Sequence, residues 1–583
     1  MDVYDISDHL VKKLQDCDLI WIISGKFNKF KENYAKVNFV ERFLVDFKYM
    51  EKIKVKVKLR EEKSNKKSSE FRMQGNEQFS LKNRKYFQAL ELYNKSICFS
   101  EPGSENLSIG YANRSAVLFE WKRYRECLAN IELARQANYP ARLMHKLDKR
   151  EKDCRQLLDE QPPDQQAYEF QMSFEPHPKI PIIANCLELR ESANEGRYIC
   201  TNRDLIVGDI IAIEEPFCST LLPPMRYIRC ATCKEENYLT LIPCENCCST
   251  MFCSESCRLT AITTFHKYEC PIIDFLHTMF NKIHGIALRV CLVALELFSN
   301  IEELMAYCAD PENQNKSAFD LDYTNLIPRE HYRAIHGLVT NQHLRSVSDL
   351  FQRSVVCAVL KHFIIEYTPL KEYLGSCKEA ENFFTELLFR HLQTSATNMH
   401  GIDLIEQVNE TTDDQTHSSG AFAFLSLLNH SCAPNTVRVN KGTQAYLFVF
   451  RPIAAGGVLY DNYGFILSFH YRPHFAVSSK KQRIETLSLQ YRFTCNCEAC
   501  ESDYPNFGKL QPKLHVPYVN EKTDMNSLDH KYIVYIAVQP RRKDLFLFFN
   551  RDAFEVIIRA SSLNNAFKDY FHFKKNKNKN LIH

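Results

Sequence analysis

Eight of the chain's 23 cysteines fall between residues 230 and 270, in a chain of 583 residues. An even spread would place roughly two there. What clustered thiols mean depends on the compartment. The start, MDVYDISDHLV, carries early acids and no apolar core of the kind that marks a secretory signal. The most apolar long stretch, HGIALRVCLVALELF, includes Arg289 and Glu296 and is too short to span a bilayer. A reducing setting, cytoplasm and nucleus, without membrane attachment is therefore expected. There, clustering points to metal rather than disulfides. The spacing agrees: Cys230-x2-Cys233-x10-Cys244-x2-Cys247-x5-Cys253-x3-Cys257-x8-His266-x3-Cys270. Eight such ligands make two closed tetrahedral zinc sites with no position for water, so their role is structural. In so short a segment the metal replaces a missing apolar core, and binding it is much of the folding free energy. Cys248 is left over.

The rest of the chain is ordinary in composition, 45% apolar and 25% charged, with a net charge of +3. That balance gives no global field for nucleic acid or membrane. The zinc segment itself holds Lys234, Arg258 and Lys267 against Glu235, Glu236, Glu245, Glu255 and Glu269, the wrong sign for phosphate contacts. Residues 1–69 form an N-terminal segment with no readable motif, ending in a charge run, EKIKVKVKLREEKSNKKSS, read as a solvated linker or helix surface. Residues 70–158 show helical periodicity twice over. GNEQFSLKNRKYFQALELYNKSI is echoed by NRSAVLFEWKRYRECLANIELA, with Gly75 aligned to Ser115 at a period of 40. The echo resembles a short tetratricopeptide array, whose repeat is about 34 residues, lengthened here by EPGSEN and an insertion near 82–84. Residues 159–180 are rich in Pro and Gln and read as a linker. From 181 to 229 β-branched runs alternate with Gly turns, as short strands do. Residues 271–400 return to helix and 421–464 to strands.

Four further segments carry a family resemblance. LSLLNHSCAPNT at 425–436 resembles the signature of SET-domain lysine methyltransferases, in which the chain forms a knot-like active site. Asp461-Asn462-Tyr463-Gly464 resembles the segment with the catalytic tyrosine, and FTCNCEAC at 493–500 resembles the post-SET motif. Glu195-Gly196-Arg197-Tyr198 resembles the glycine-containing first hairpin. The zinc segment resembles the MYND finger. A MYND finger between two halves of a SET domain is the arrangement of the SET and MYND domain-containing (SMYD) family. The helical repeats in front are similar to its tetratricopeptide-bearing SET and MYND domain-containing protein 4 subfamily. The resemblance implies an α+β multidomain protein. In order, it has an N-terminal helical array (70–158), a β-rich SET domain beginning at 181–229, a MYND finger (230–270), a helical insert (271–400), the SET core (401–466), a post-SET segment (467–502) and a C-terminal region of unclear fold (503–583).

It also implies an activity, methyl transfer from S-adenosylmethionine to a protein lysine, and a set of residues. Tyr463 is the expected catalytic group. Gly196, Arg197, Asn398, Asn429, His430 and Phe493, with Tyr463, are the expected cofactor contacts. By interleaving, Cys230, Cys233, Cys253 and Cys257 hold one zinc, and Cys244, Cys247, His266 and Cys270 a second. Cys432 joins Cys495, Cys497 and Cys500 around a third. The chemistry is consistent with the residues. A lysine amine, of pKa ~10.4, must be neutral to attack, and a narrow aromatic channel disfavours its ammonium form. No metal or strong base is needed at the reacting atoms. One departure stands out: the family's Gly-Glu-Glu strand before the tyrosine reads Gly456-Gly457-Val458-Leu459 here. Its loss suggests a looser strand, and with it an alternative function as a SET-fold scaffold that recruits chaperones or transcriptional co-repressors.

Partner expectations follow from the same pattern. Arg72 and Asn76, Asn113, and Lys146 and Arg150 fall where a carboxylate clamp for Hsp90- or Hsp70-type C-terminal tails would put them, each pair four apart on one helix face. Proline-rich peptides are expected on the MYND finger, no direct nucleic acid, and a monomeric state.

Overall fold

The structure, a computed structural model, describes residues 2–160, 170–193, 195–235, 237–323, 326–375, 377–403, 416–464, 473–475 and 478–504, with the backbone of two short strands beyond. It begins with four helices, α1 (Val3–Asp16), α2 (Ile20–Phe27), α3 (Asn33–Asp46) and α4 (Tyr49–Lys56). Asp2 opens α1 with a reciprocal capping box to Asp5. Five more follow: α5 (Asn65–Phe79), α6 (Tyr86–Phe99), α7 (Glu105–Glu120), α8 (Tyr124–Gln136) and α9 (Met144–Asp159).

α5–α6 and α7–α8 are antiparallel hairpins. Ser64 at the start of α5 donates its backbone N–H to Phe99 O at the end of α6. Small residues let the helices close. A Cβ on Gly75 would lie 2.6 Å from the Tyr93 ring, and its counterpart Ser115 is buried, its carbonyl taking the Cys127 thiol at 3.2 Å.

The strands begin with the hairpin β1 (Leu187–Ser192) and β2 (Gly196–Thr201), followed by β3 (Ile210–Glu214) and β4 (Cys218–Leu221). The cysteine-rich finger holds β5 (Ile242–Pro243), β6 (Met251–Phe252), α10 (Glu255–Thr263) and α11 (His266–Glu269). A helical insert then runs through α12 (Ile273–Met279), α13 (Lys282–Leu295), α14 (Ile301–Ala309), α15 (Pro328–His336), α16 (Val347–Tyr367), α17 (Leu370–Leu374) and α18 (Lys378–Asn398). The remaining strands are β7 (His400–Asp403), β8 (Thr416–Ala421), β9 (Asn429–His430), β10 (Thr436–Lys441), β11 (Gln444–Val449) and β12 (Tyr460–Asp461). They form small sheets ordered β10-β11-β3 and β4-β8-β7, and β9 pairs in parallel with β12. Last come α19 (Lys480–Tyr491) and α20 (Glu498–Glu501), then the antiparallel pair β13 (Tyr535–Val538) and β14 (Leu545–Phe548). The C-terminal region expected from 503 onward otherwise lies outside the described residues after Tyr504.

The N-terminal helices are tied to the insert by groups more than 300 residues away. Glu386 accepts from Asn33 Nδ2 at 2.6 Å and the Tyr34 backbone at 2.9 Å, and Lys361, buried, donates to Glu41 at 2.5 Å. The charge run after α4 is not simply solvated. Leu59 O accepts from the Asp274 and Phe275 amides, and Lys63 Nζ bridges Cys98 O (2.7 Å) and Cys244 O (2.6 Å), seaming the helical hairpins to the finger. The same seam buries Arg114, whose guanidinium donates to Asn94, Asn130 and Leu241 O. On the far side of the finger, Arg289 of α13 grips Glu269 of α11 by two bonds of 2.7 and 2.6 Å, and gives a third to Ser219 O of β4. Among the described residues no helix is long and apolar enough to cross a membrane.

Candidate active site and metal centres

Three sets of four ligand atoms come together, each set within 4.8 Å: Cys230, Cys233, Cys253, Cys257; Cys244, Cys247, His266, Cys270; and Cys432, Cys495, Cys497, Cys500. Four thiolates at ~2.3 Å from a zinc ion sit ~3.8 Å from one another. The observed sulfur separations are 3.6 Å for Cys233–Cys253, 3.5 Å for Cys253–Cys257, 3.9 Å for Cys244–Cys270 and 3.6 Å for Cys432–Cys500. These are tetrahedron edges, far longer than a disulfide. His266 presents Nε2 to Cys244 at 3.3 Å and Cys247 at 3.6 Å. The donor sets therefore fit zinc, two in the finger and one between residues 432 and 500. Cys248 stands outside the sets, its carbonyl accepting from Tyr227.

The third set brings Cys432 of the signature segment together with residues 495–500. Around it, β9 and β12 lie side by side, Asn429 opposite Tyr460 and His430 opposite Asp461. Asn462 Nδ2 donates to Ser431 O and Pro473 O, and Ser431 N to Asp461 O. Beneath them Arg438 forms a buried ion pair with Asp461 at 2.7 Å. The Tyr463 amide donates to His430 Nδ1 at 3.1 Å. That fixes the imidazole proton on Nε2, which faces Cys432 Sγ at 3.4 Å. The Tyr463 ring packs against His430 (5.1 Å between centroids), Tyr491 (4.8 Å) and Phe493 (6.1 Å). Its hydroxyl donates to Leu428 O at 3.2 Å. Burial pushes the phenol pKa well above its usual value, so the group stays protonated.

The hairpin tip reaches this cluster. Asn429 Nδ2 donates to Glu195 O at 3.0 Å, and the Tyr460 hydroxyl to Glu195 Oε1 at 3.2 Å. Gly196, next in the chain, has φ of +64°, and among the described residues nothing beyond its chain neighbours comes within 4 Å of where a Cβ would stand, so backbone is open to a ligand there. Arg197 is half-buried on β2, opposite Glu191. Asn398 closes α18. Its Nδ2 is committed to Val339 O, Thr394 O and Thr397 Oγ1, which leaves Oδ1 as the atom for a ligand. Ser426 Oγ donates to Asn398 O and so joins this end of the insert to the signature.

Three contributors escaped sequence reasoning. Tyr491 walls the Tyr463 ring and donates its hydroxyl to Tyr463 O at 2.7 Å; its place two residues before Phe493 was the available signal. Asp349 is half-buried, which favours its neutral form. Three arginines outweigh that and hold its pKa low: Arg353 at 3.0 Å, Arg345 at 3.3 Å and Arg492 at 3.0 Å. Arg492 lies between Tyr491 and Phe493, so this cluster anchors the aromatic wall to α16. Glu214, 2% exposed, accepts from the Phe424 and Leu425 amides at 2.8 and 2.9 Å and positions the signature's first turn; burial pushes its pKa up to about 7.

Of the residues expected to clamp a peptide tail, Arg72 and Asn76 lie on α5, Asn113 on α7 and Lys146 and Arg150 on α9. Asn76 Oδ1 accepts from Asn113 Nδ2 at 2.9 Å, Arg72 donates to Asn106 on α7, and Arg150 donates to Ala112 O and Ser115 Oγ. Lys146 is exposed. The five share one run of adjacent helices, and all but Lys146 already hold partners within the chain.

Comparison with known proteins agrees with this geometry. The SET domain model matches residues 38–464. Protein-lysine N-methyltransferase SMYD4 of Danio rerio is 26% identical over 513 residues, covering 76% of this chain and 66% of that protein. The protein of the same name from Mus musculus is 26% identical over 557 residues, covering 76% and 68%. A SET and MYND domain-containing protein of Dictyostelium discoideum is 23% identical over 369 residues, 58% of this chain and 87% of that one. The chain thus spans about two thirds of the length of the SMYD4 relatives. With most of its described length matched by one model, and the signature, the tyrosine and the hairpin assembled around one another, the chain belongs to the SET domain family and is similar within it to the SMYD4 proteins.

Proposed function

We propose that this chain is an S-adenosylmethionine-dependent protein-lysine N-methyltransferase. The observation that carries the reading is the single cluster in which Tyr463, His430, Asn429 and the Gly196 hairpin tip meet. S-adenosylmethionine, when bound, supplies a methyl group on a cationic sulfur. The open backbone at Gly196, with Asn429, Asn398 Oδ1 and Phe493, would hold it. The chain's own part is positional. The rings of Tyr463, Tyr491 and Phe493 disfavour the charged form of an entering lysine. The Tyr463 hydroxyl, kept protonated by burial and steered by Leu428 O, orients the amine instead of acting as a base. Tyr463→Phe is therefore expected to abolish methyl transfer while leaving cofactor affinity within a few-fold, measured by calorimetry and by mass spectrometry of a substrate pool given labelled cofactor. A fully active Tyr463→Phe protein would refute the assignment.

On this reading the finger is a MYND module carrying two of three zinc ions, open to proline-rich peptides, and the protein works in cytoplasm and nucleus on histone or other proteins. The adjacency of Arg72, Asn76, Asn113, Lys146 and Arg150 favours a second role. The hairpins α5–α8 with α9 would act as a tetratricopeptide array that recruits acidic chaperone tails, with or without catalysis.

A further inference from the structure

Helices α1 and α4 border an open cleft of about 390 Å³. Its α1 side is lined by His9, Lys12, Lys13 and Asp16, and its α4 side by Tyr49, Lys52, Ile53 and Lys56. Both sets run i, i+3, i+4, i+7, the spacing of a single helix face, so two faces turn toward one space. Ile53 is buried and Tyr49 half-buried, and the other lining side chains are exposed. The lysines therefore share one cleft and are open to a ligand in it. Two of them are also drawn to one residue. Lys52 Nζ donates to Phe47 O at 3.4 Å, and Lys13 Nζ lies 5.9 Å from the centre of the Phe47 ring.

The charge in the cleft is one-sided: four lysines face a single carboxylate, Asp16. Among the described residues none of the four pairs with an acid, whereas Lys58 and Lys67, a short way along the chain, both hold Glu61. Like charges four apart on one helix, as Lys52 and Lys56 are, repel, so an anion between the faces is favoured. Its shape follows from the length of the faces, which rise by only ~10 Å. An extended peptide covers that distance with about three residues, whose side chains alternate in direction, so it brings fewer acids than the cleft has lysines. A phosphate monoester carries about −1.5 to −2, and roughly two or three on one small body match the cleft. Lysines suit such a ligand because each acts as a point charge on phosphate. Neither Ile53 nor Tyr49 is exposed, so the cleft offers no apolar side chain to a bilayer. We propose that the cleft between α1 and α4 binds a soluble, compact polyphosphate, its phosphates taken by Lys12, Lys13, Lys52 and Lys56. The site shares no residue with the Tyr463 cluster or the metal sets, and it does not rest on methyl transfer.

The test is calorimetric titration of the zinc-loaded full chain with inositol hexakisphosphate at physiological ionic strength, with zinc content checked after each run. Saturable one-to-one binding is expected. Lys12→Gln combined with Lys56→Gln removes two charges but no hydrogen bond or ion pair within the described residues, and should weaken binding at least ten-fold. Lys149→Gln combined with Lys152→Gln, both exposed on α9, removes the same charge elsewhere and should leave affinity within about two-fold. Added salt should weaken the wild type more steeply than the Lys12–Lys56 variant. Absence of saturable binding, or equal losses in the two double variants, would overturn the proposal. So would a hexaglutamate peptide that binds as tightly, which would assign an acidic protein partner instead. Tighter binding to vesicles containing phosphatidylinositol 4,5-bisphosphate than to the hexakisphosphate would overturn it in favour of a lipid headgroup. Should the Lys12–Lys56 variant fail to fold, the comparison of hexakisphosphate with hexaglutamate on the wild type still decides.

Discussion

The pair Arg289–Glu269 offers the sharpest test of how the finger is held. Both side chains are nearly sealed, at 8% and 7% exposure. The guanidinium makes a two-pronged grip on the carboxylate, adds a bond to Ser219 O, and lies 3.5 Å from the Phe265 ring centroid. Arg289→Met deletes all of this and strands a buried carboxylate between the ligands His266 and Cys270. Breaking a buried pair from one side costs ~3–5 kcal/mol. At about 1.4 kcal/mol per decade, the lower figure raises the population of opened finger at least 100-fold. A chain of this length does not unfold in one step, so a global midpoint is the wrong measurement. The proper assay is zinc transfer from the full chain to a chromogenic chelator. The finger's zinc should leave at least 100-fold faster from Arg289→Met, while the ion at Cys432 and Cys495–Cys500, far along the chain, keeps its rate. Glu269→Leu combined with Arg289→Met should restore much of the loss, because an apolar pair of similar volume carries no uncompensated charge. Wild-type release from Arg289→Met, or a double variant as fast as the product of the singles, would refute the reasoning.

Metal analysis of the purified full chain should give three zinc ions; two or fewer would mean that one of the three ligand sets is not a site. Gly75→Ala should destabilise the α5–α6 hairpin by ~1–3 kcal/mol, because the new Cβ meets the Tyr93 ring at 2.6 Å. Limited proteolysis would detect it, with the exposed, unobstructed Gly25→Ala as a neutral-to-stabilising control. Calorimetry with a peptide ending in Glu-Glu-Val-Asp should show saturable binding that Lys146→Ala weakens. Lys146 is the better variant than Arg150, whose removal also cuts the bonds from α9 to α7.

The metal sets and the residues around Tyr463 were legible in the sequence because they are fixed by short spacings and fixed motifs. A Cys-x2-Cys turn places two thiolates on one side of an ion wherever it is found. Which pairs share an ion, and that residue 432 joins residues 495–500, came only with the family resemblance and then with the observed sulfur separations. The N-terminal helices were opaque for the opposite reason. Their partners, Glu386 for Asn33 and Lys361 for Glu41, are distant in the chain, and no local pattern announces them. The charge run misled for the same reason: Lys63 looks like any solvated lysine until the finger's Cys244 carbonyl is brought to it. Tyr491 and Asp349 were missed because an aromatic in a helix and an acid among arginines have bland explanations far more often than functional ones.

The altered strand before Tyr463 was read as a loosening, and its hydrogen bonds argue otherwise. Gly456 N donates to Thr201 O at 2.7 Å, Thr201 N to Gly457 O at 3.1 Å, and Leu459 N to Ile199 O at 2.8 Å, so the segment is laced to β2 through backbone alone. Asn435 then takes the Tyr460 amide on Oδ1 at 2.7 Å and gives Nδ2 to Val458 O at 2.8 Å. None of these bonds uses a side chain at 457 or 458. Gly456 sits at φ +82°, and a Cβ on Gly457 would meet Ile453 Cγ2 at 2.7 Å and Ala454 O at 2.8 Å. A glutamate at 457 would not fit this turn without moving it. The two glycines therefore build a tighter turn, and do not simply mark the loss of two acids. The register to Tyr463 is carried by β2 and Asn435, and two residues before the tyrosine Asp461 is held by its buried ion pair with Arg438. What the substitution removes from the family pattern is surface charge on one strand; what it leaves in place is the frame that presents the tyrosine.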